Sequence, residues 1–237
     1  YMPLLIKALP EGTYVPEGVP SMTIVNTKDE FYWLTNYIET ITSCMLWKTI
    51  TSATTSFAYK KLLMAAARRT GASLDFVKFQ AHDFSFRGMS GLDDAIMSGI
   101  GHLFNFVGTD TVPAIYNLEK YYNANSDTEL VGCSVPATEH SVMCARSKSS
   151  ELETIRRLAT EVYPTGILSV VSDTWDFWQV ITKYLVILKP EIMARPGKYV
   201  SRPDSGDPVK IICGDKAAAA ESPEANGTIQ CLWNTFS

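Results

Sequence analysis

Five short polar segments contain the residue types that hold anionic small molecules in enzymes. Each contains Asp, Arg or His, and each follows an apolar run. Arg binds phosphate through parallel N–H donors, and His exchanges a proton near neutral pH. The segments are 82–88 (HDFSFRG), 108–111 (GTDT), 134–140 (SVPATEH), 169–176 (SVVSDTWD) and 202–208 (RPDSGDP).

The first segment admits a binding role and a structural role. His82 and Arg87 suit an anion, and Phe84 offers a flat face on which a ring stacks. A loop stapled by a hydrogen bond from His82 to Asp83, with Arg87 exposed, explains the same residues. Composition alone leaves both interpretations open.

Three other segments also fit helix starts. Thr109 or Asp110, then Ser134 or Thr138, and later Asp173 each precede a helical pattern, where such side chains cap free backbone N–H groups. The alternative for Asp110 is a carboxylate that accepts a hydrogen bond from a ligand amide.

His140 and Arg202 are the remaining chemically active candidates. A neutral His140 imidazole acts as a nucleophile or base, or else is a partly buried structural side chain. Neither Ser134 nor His140 lies in a Gly-x-Ser-x-Gly motif, which argues against a serine hydrolase. Arg202 suits phosphate and Asp204 suits Mg²⁺ or ribose hydroxyls, unless the two form an internal ion pair in a surface turn.

Alternating strands and helices must position these segments. Alternation of this kind predicts an α/β fold with a parallel sheet or barrel, whose sites collect at the carboxyl ends of the strands. The strand candidates are 76–81, 103–107, 130–134 and 166–171. The helix candidates are 91–101, 110–122, 138–162 and 174–188, and 214–228 is predicted to be a loop.

The part before residue 74 has a different pattern. Residues 1–27 contain Pro and Gly between short β-branched runs, which indicates strands joined by turns. Residues 29–70 lack both Pro and Gly, and we predict two helices with a break near Lys48–Thr49 and a stop at Gly71. We therefore expect one domain over 1–73 and a second over 74–237.

Bulk composition excludes several classes of protein. Hydrophobic residues make up 46% and charged residues 19% of the 237, so the chain is not wholly disordered. A net charge of −4 and no apolar run near ~20 residues predict neither a nucleic-acid nor a membrane partner. The five cysteines form no Cys-x-x-Cys pair, which favours reduced thiols in the cytoplasm and no zinc ribbon. Since the chain starts at Tyr1 and stops at Ser237 after an apolar stretch, we expect an internal fragment of a longer protein.

The ordered motifs HDFSFRG, GTDT, SVPATEHS, SVVSD and RPDSG resemble the nicotinamide phosphoribosyltransferase family. The resemblance runs from near Pro10 to Pro208, which is most of the chain, and residues 202–215 are nearest to its viral and bacterial branch. It implies part of an incomplete (β/α) barrel of the type II phosphoribosyltransferase kind, preceded by a β-rich and helical segment.

The resemblance also implies a reaction. Nicotinamide and phosphoribosyl pyrophosphate would give nicotinamide mononucleotide and pyrophosphate with Mg²⁺, in a homodimer whose sites lie at the subunit boundary. ATP hydrolysis through a phosphorylated histidine would assist. The alternatives are a nicotinate phosphoribosyltransferase and a non-catalytic remnant that only binds ligand or dimerises.

Roles carry over by motif for ten residues. Phe84 would stack on the nicotinamide ring, Asp110 would accept its carboxamide NH₂, and Arg87 would contact the ribose phosphate. Arg202 would line the pyridine–ribose site, and Asp204 would bind ribose or magnesium pyrophosphate.

His140 would be the phosphorylated histidine, and Asp173 would orient it as a carboxylate orients other catalytic imidazoles. His82, Ser134 and Ser169 would line the substrate tunnel. We assign no residues to a protein-bound metal.

The sequence also departs from the family pattern. Family members are longer, with a ring-stacking Tyr from the partner subunit expected upstream and Gly-rich phosphate loops expected downstream. Gly214-Asp215 lies too near Arg202 to be one of those loops, and Ser85 and Phe86 replace the usual Gly and Tyr. The pyrophosphate contacts of this piece are therefore expected to be incomplete.

Overall fold

A computed structural model describes residues 2–237 and divides the chain into two compact units, one ending at Ser134 and the other spanning Val135–Ser237. The strands are β1 Leu4–Ala8, β2 Met22–Asn26, β3 His82–Asp83, β4 Gly108–Thr109, β5 Gly166–Val171 and β6 Gly197–Arg202. The helices are α1 Leu34–Thr70, α2 Leu92–Leu103, α3 Val112–Tyr122, α4 His140–Cys144, α5 Glu151–Arg157, α6 Phe177–Gln179, α7 Leu185–Ile187, α8 Lys189–Ala194, α9 Pro208–Cys213 and α10 Pro223–Phe236. Short 3₁₀ turns cover Asp29–Phe31, Val77–Phe79, Ser85–Gly88 and Lys148–Ser150, and π-helical turns cover Leu158–Val162 and Val180–Tyr184.

The first unit begins with an antiparallel strand pair. β1 and β2 pair from Leu4 opposite Asn26 to Ala8 opposite Met22. This arrangement confirms the strands and turns predicted for residues 1–27.

Helix α1 runs unbroken through 37 residues, so the predicted break near Lys48–Thr49 is wrong. Threonine hydroxyls bond carbonyls instead of ending the helix, as Thr54 does with Ile50 O at 2.8 Å. The predicted stop is confirmed, because Gly71 follows Thr70 in the left-handed conformation with φ 73°.

Helix α2 packs on α1 through a stripe of hydroxyls. Ser52 Oγ donates to Ser98 O at 2.7 Å, and Ser56 Oγ donates to Gly101 O at 3.1 Å. The helices approach closely at Gly101, where a Cβ would lie 2.6 Å from Thr49 O. This contact requires glycine and fixes the end of α2 just before β4.

The short parallel pair β3–β4 aligns His82 with Gly108 and Asp83 with Thr109. Three predicted strands are therefore displaced or shorter than expected. Residues 76–81 hold a 3₁₀ turn, because the rings of Phe76 and Phe79 pack at helical spacing, 5.8 Å between centroids. Residues 103–107 lead into β4, and 130–134 contribute only an isolated bridge from Cys133 to Gly108.

The second unit is built on the parallel pair β5–β6. Gly166–Val171 forms the strand that the sequence predicts, and Val171 lies opposite Arg202. Leu168, Val170 and Val171 are each 0% exposed and pack with residues of the surrounding helices. Because the strand is buried up to Val171, the polar residues that follow it begin at Ser172.

The helices of the second unit are more broken than predicted. Residues 138–162 form two helices, a 3₁₀ turn and a π-helical turn, and 174–188 contains another π-helical turn. Such turns arise where a helix accommodates an extra residue. The predicted loop over 214–228 is partly wrong, because α10 begins at Pro223 after Ser222, whose hydroxyl accepts from Ala225 N.

The fold is thus a mixture of helices and strands, with three two-stranded sheets among residues 2–237. A closed barrel is not seen in this part of the chain, and the incomplete barrel stays a prediction, as does the domain boundary near residue 74. None of the helices described is both long and apolar enough to cross a bilayer.

Candidate active site

Asp110 is the centre of the polar cluster in the first unit. It follows β4, is exposed, and its Oδ1 accepts a hydrogen bond from Ser134 Oγ at 2.7 Å. His82 Nε2 lies 3.1 Å from the same oxygen. The structure therefore brings together three predicted site residues that are distant in sequence.

An aromatic face adjoins this carboxylate. The rings of His82 and Phe84 lie 4.4 Å apart at an angle of 32°, and Phe84 is 51% exposed. Arg87 is exposed on the 3₁₀ turn that follows, Ser85–Gly88. A ligand with a planar ring and an anionic group would thus find Phe84 for the ring and Arg87 for the anion within one short segment.

Asp83 holds the 82–88 segment in place through hydrogen bonds, a role that the sequence analysis missed. Its Oδ1 accepts from Ser85 N at 2.9 Å and from Ser85 Oγ at 2.6 Å, in place of the His82–Asp83 bond considered above. Burial opposes ionisation of Asp83, yet these hydrogen bonds hold its pKa below its usual value. The Asp-x-Ser spacing is an Asx-turn pattern, so it offered a signal.

The backbone before Asp110 is held by His102, whose Nε2 lies 2.9 Å from Gly108 O. Burial lowers the pKa of His102, and the hydrogen bond to Gly108 acts against that effect. Thr109 Oγ1 accepts from Thr111 N at 2.9 Å just before α3. Asp110 is not the helix cap, because the N-cap position is Thr111.

Asp173 is the centre of the polar cluster in the second unit. It follows β5, its side chain is 7% exposed, and its Oδ2 accepts from Ser205 Oγ at 2.6 Å and from Asp204 N at 3.1 Å. Burial opposes ionisation, but these bonds and His140 hold the pKa of Asp173 below its usual value. Asp176, not Asp173, caps the next helix.

His140 lies between two carboxylates. Its Nε2 donates to Asp173 Oδ1 at 3.1 Å, and its Nδ1 lies 3.8 Å from Asp204 Oδ2. Helix α4 starts at His140 without a side-chain cap, so the predicted caps are wrong. Thr138 Oγ1 instead accepts from Val171 N at 2.9 Å, and Ser134 donates to Asp110.

Arg202 ends β6 and pairs with Asp204 two residues later. Its Nη1 donates to Asp204 Oδ1 in a close contact, and its Nη2 donates to Thr138 O at 3.4 Å. The internal Arg–Asp pair considered as an alternative is therefore present, and it adjoins His140. Ser205 supports this loop and was missed, because the sequence shows only its place in the RPDSG motif.

Ser169 lies within β5 and is 8% exposed. Its backbone bridges to the segment before α4, with Thr138 N donating to Ser169 O at 2.9 Å. Residues 2–237 hold no cluster of three or more His, Cys, Asp or Glu side chains arranged to bind a metal ion.

Comparison with known proteins gives a consistent result. The model of the nicotinate phosphoribosyltransferase family matches residues 79–237. A nicotinamide phosphoribosyltransferase of Acinetobacter baylyi is 56% identical over 242 residues, covering 100% of this chain and 47% of the relative. Proteins of the same name from Xanthomonas campestris pv. campestris and Mycoplasma pneumoniae are 36% and 34% identical, covering 89% and 98% of this chain and 45% and 49% of their own lengths. The chain therefore spans about half the length of the curated relatives it matches.

Proposed function

Because the chain belongs to the nicotinate phosphoribosyltransferase family, we propose that the protein transfers a phosphoribosyl group from phosphoribosyl pyrophosphate to nicotinamide. A bond forms between the pyridine nitrogen and the ribose C1 carbon, and the bond from C1 to pyrophosphate breaks. The products are nicotinamide mononucleotide and pyrophosphate. Three curated relatives bear the name of this enzyme.

One observation carries the choice of nicotinamide. The Asp110 carboxylate is held by Ser134 and lies beside His82, whose ring packs at a tilt against that of Phe84. A carboxylate accepts a hydrogen bond from the carboxamide NH₂ of nicotinamide and repels the carboxylate of nicotinate. Phe84 offers its exposed face to the pyridine ring.

The runner-up is transfer to nicotinate, which the name of the matched family favours. The charge of Asp110 argues against it, since nicotinate would bring a second carboxylate beside the Asp110 carboxylate, and the two like charges repel. A measured preference for nicotinate over nicotinamide would establish this alternative.

The remaining residues would position the sugar and the leaving group. Arg87 would contact the ribose phosphate, and Arg202 would line the pyridine–ribose site with Asp204 near the ribose. Charge stabilisation and positioning supply most of the catalysis that such a transfer requires. Ser169 and His82 would line the substrate tunnel with Ser134.

Mg²⁺ fits the protein ligands available here only when the substrate supplies further ligands to the ion. Asp204 offers one exposed carboxylate, and Mg²⁺ is commonly held by one or two carboxylates together with substrate phosphates. When bound, the ion would neutralise the charge of the leaving pyrophosphate.

We include ATP assistance through His140 in the proposal. Asp173 accepts from Nε2 and so fixes the ring, while Nδ1 faces Asp204 at 3.8 Å. Labelling with ATP radioactive at the γ-phosphate is expected to give an acid-labile phosphoprotein that a His140→Asn variant does not form. Labelling of that variant at the wild-type level would remove His140 from the proposal.

The decisive test is an assay of the purified full-length protein. We expect nicotinamide mononucleotide to form from nicotinamide, phosphoribosyl pyrophosphate and Mg²⁺, with a higher yield when ATP is present. A homodimer and a cytoplasmic location also belong to the proposal, and sedimentation and cell fractionation check them. A full-length protein that binds nicotinamide but forms no product would support a non-catalytic role.

A further inference from the structure

The Asp204 carboxylate lies between the two basic groups of the second unit's polar cluster. Oδ1 accepts from Arg202 Nη1, and Oδ2 lies 3.8 Å from His140 Nδ1. Each oxygen of one carboxylate therefore faces a nitrogen of a different basic side chain. A phosphate-type anion bound here would face the same two nitrogens, and the Arg202 guanidinium would donate to it because guanidinium groups are common partners of phosphate.

The backbone of Asp204 is fixed, whereas its side chain is accessible. Asp204 N and the neighbouring Ser205 hydroxyl both donate to Asp173 Oδ2, at 3.1 and 2.6 Å. The Asp204 side chain is 44% exposed. The carboxylate is therefore free to turn towards solvent by rotation of its side chain while the loop stays attached to Asp173.

We propose that Asp204 acts as an internal competitor, occupying the position between Arg202 and His140 that an incoming oxyanion would take. An anion without a metal ion must displace the carboxylate from Arg202 and then remain beside its negative charge. Asp204 thereby selects against metal-free anions at this position. The inference rests on the proposed function, since it concerns the residues assigned there to the ribose and the phosphohistidine.

The expected effect is moderate because the ion pair is exposed. Exposed ion pairs contribute little, so removing the competitor should tighten anion binding by about fivefold. A change of Asp204 to Asn keeps the size of the side chain and removes its charge. The guanidinium of Arg202 then remains available to the anion.

The test is titration of inorganic phosphate into the full-length protein by calorimetry, in buffer with a metal chelator and without substrates. The Asp204→Asn variant should bind phosphate about fivefold more tightly than the wild type. Asp127→Asn, which removes one negative charge from an exposed loop of the other unit, should bind as the wild type does. Adding Arg202→Gln to Asp204→Asn should abolish the gain.

Equal or weaker phosphate binding by Asp204→Asn would overturn the proposal, and so would an absence of phosphate binding in every variant. If Asp204→Asn fails to fold, Asp204→Ser replaces it, and phosphate should also shift the carbon-13 resonance of the Asp204 carboxylate in the wild type. These measurements involve no turnover. A failure to form nicotinamide mononucleotide would therefore refute the proposed function and leave the result on Asp204 unaffected.

Discussion

The contacts of Asp110 make its two carboxylate oxygens different from each other. Ser134 Oγ and His82 Nε2 both approach Oδ1, at 2.7 and 3.1 Å. Oδ2 has neither of these contacts, so it is the oxygen that remains for a ligand amide. In the proposed reaction, charge and direction together would make this side chain the main determinant of substrate choice.

Replacing Asp110 by Asn should relax that choice. The variant loses the charge that repels nicotinate, so we expect the ratio of kcat/KM for nicotinamide to that for nicotinate to fall by at least about tenfold, a change of ~1.4 kcal/mol. Steady-state assays with both substrates provide the measurement, and Asp127→Asn is the matched control. An unchanged ratio would remove Asp110 from substrate selection.

Ser205 should be required for the position of Asp173. Its hydroxyl donates to Oδ2 at 2.6 Å, and this hydrogen bond lowers the pKa of Asp173 more than the other hydrogen bonds do. In Ser205→Ala we expect the pKa of Asp173 to rise, which titration of its carboxyl resonance measures. We also expect the rate of nicotinamide mononucleotide formation to fall about fivefold. Ser149→Ala, on an exposed turn, should change neither. A titration of Asp173 that matches the wild type would contradict the assignment.

Residue types, their order and the family resemblance together name the ten candidate residues, because chemistry restricts which side chains serve an anion, and their roles stay predictions. Partners that act through another side chain were not found. Ser205 supports Asp173, and Asp83 supports the 82–88 segment. The Asp-x-Ser spacing signals the turn at Asp83, but a hydroxyl such as that of Ser205 is too common in loops to be distinguished by type.

At the scale of elements, the contact of α1 with α2 sets the position of β4. The hydroxyls of Thr49, Ser52 and Ser56 bond carbonyls of α2, at 3.0, 2.7 and 3.1 Å. Hydroxyls at this spacing share one helix face, and Gly101 lets that face approach. Asp110 depends on this contact, because it follows the strand into which α2 leads.

A Gly101→Ala change should therefore separate the two helices. The added Cβ would lie 2.6 Å from Thr49 O and 2.7 Å from Ala53 N, both in a helix backbone that cannot move alone. We expect a loss of about 1–3 kcal/mol in the free energy of unfolding, measured with urea. Gly88→Ala is the control, since its Cβ has no atom within 4 Å. Equal stability of the two variants would show that the helices tolerate a wider spacing.

Elements were predictable where local pattern and burial agree. β5 is a continuous apolar run that the core requires, and its bounds were predicted from the sequence. The 3₁₀ turn over Val77–Phe79 was missed, because a short apolar run has the same composition in a turn as in a strand. The unbroken α1 was missed, because the local sequence does not show that a hydroxyl such as that of Thr54 bonds a carbonyl of its own helix and lets the helix continue.

At the scale of the molecule, each compact unit has its own core. Met143, Ile155 and three residues of β5 (Leu168, Val170 and Val171) belong to one hydrophobic cluster, while Ile100, Ala114 and Leu118 belong to another. Glu151 is 3% exposed in the second unit, and its Oε1 has no hydrogen-bond partner among residues 2–237. Burial raises the pKa of Glu151 to about 7, opposed by Lys148 and assisted by Asp176.

This carboxyl should make the stability of the chain depend on pH. Below the unfolded-state value of 4.5, Glu151 is protonated in both states and costs nothing. Between 4.5 and about 7 only the unfolded chain ionises, so stability falls as pH rises, and above about 7 the loss is complete. Between pH 5 and pH 8 we expect the wild type to lose about 2–3 kcal/mol more than a Glu151→Gln variant does.

Urea unfolding at the two pH values measures this difference. Glu161→Gln is a suitable control, because Glu161 is exposed on the same helical segment. Parallel pH profiles for the wild type and Glu151→Gln would show that Glu151 ionises normally in the folded protein.

Sequence alone led to the mixed helix and strand class and to the family, because both depend on ordered local signals. It did not lead to the division at Ser134, since compactness depends on contacts between distant residues. The buried carboxyl of Glu151 was equally hidden, because nothing in its neighbours marks it as buried.

The pairing of β5 with β6 restricts where insertions and deletions are tolerated in the evolution of this protein. Val171 lies opposite Arg202, so Asp173 and Asp204 follow at the same distance beyond their strands. One residue inserted within β6 would turn Arg202 to the opposite face and move Asp204 away from His140. Insertions outside the paired strands leave that alignment intact. Relatives are therefore expected to vary in length within the connecting helices and to keep a constant count from Gly197 to Ser205.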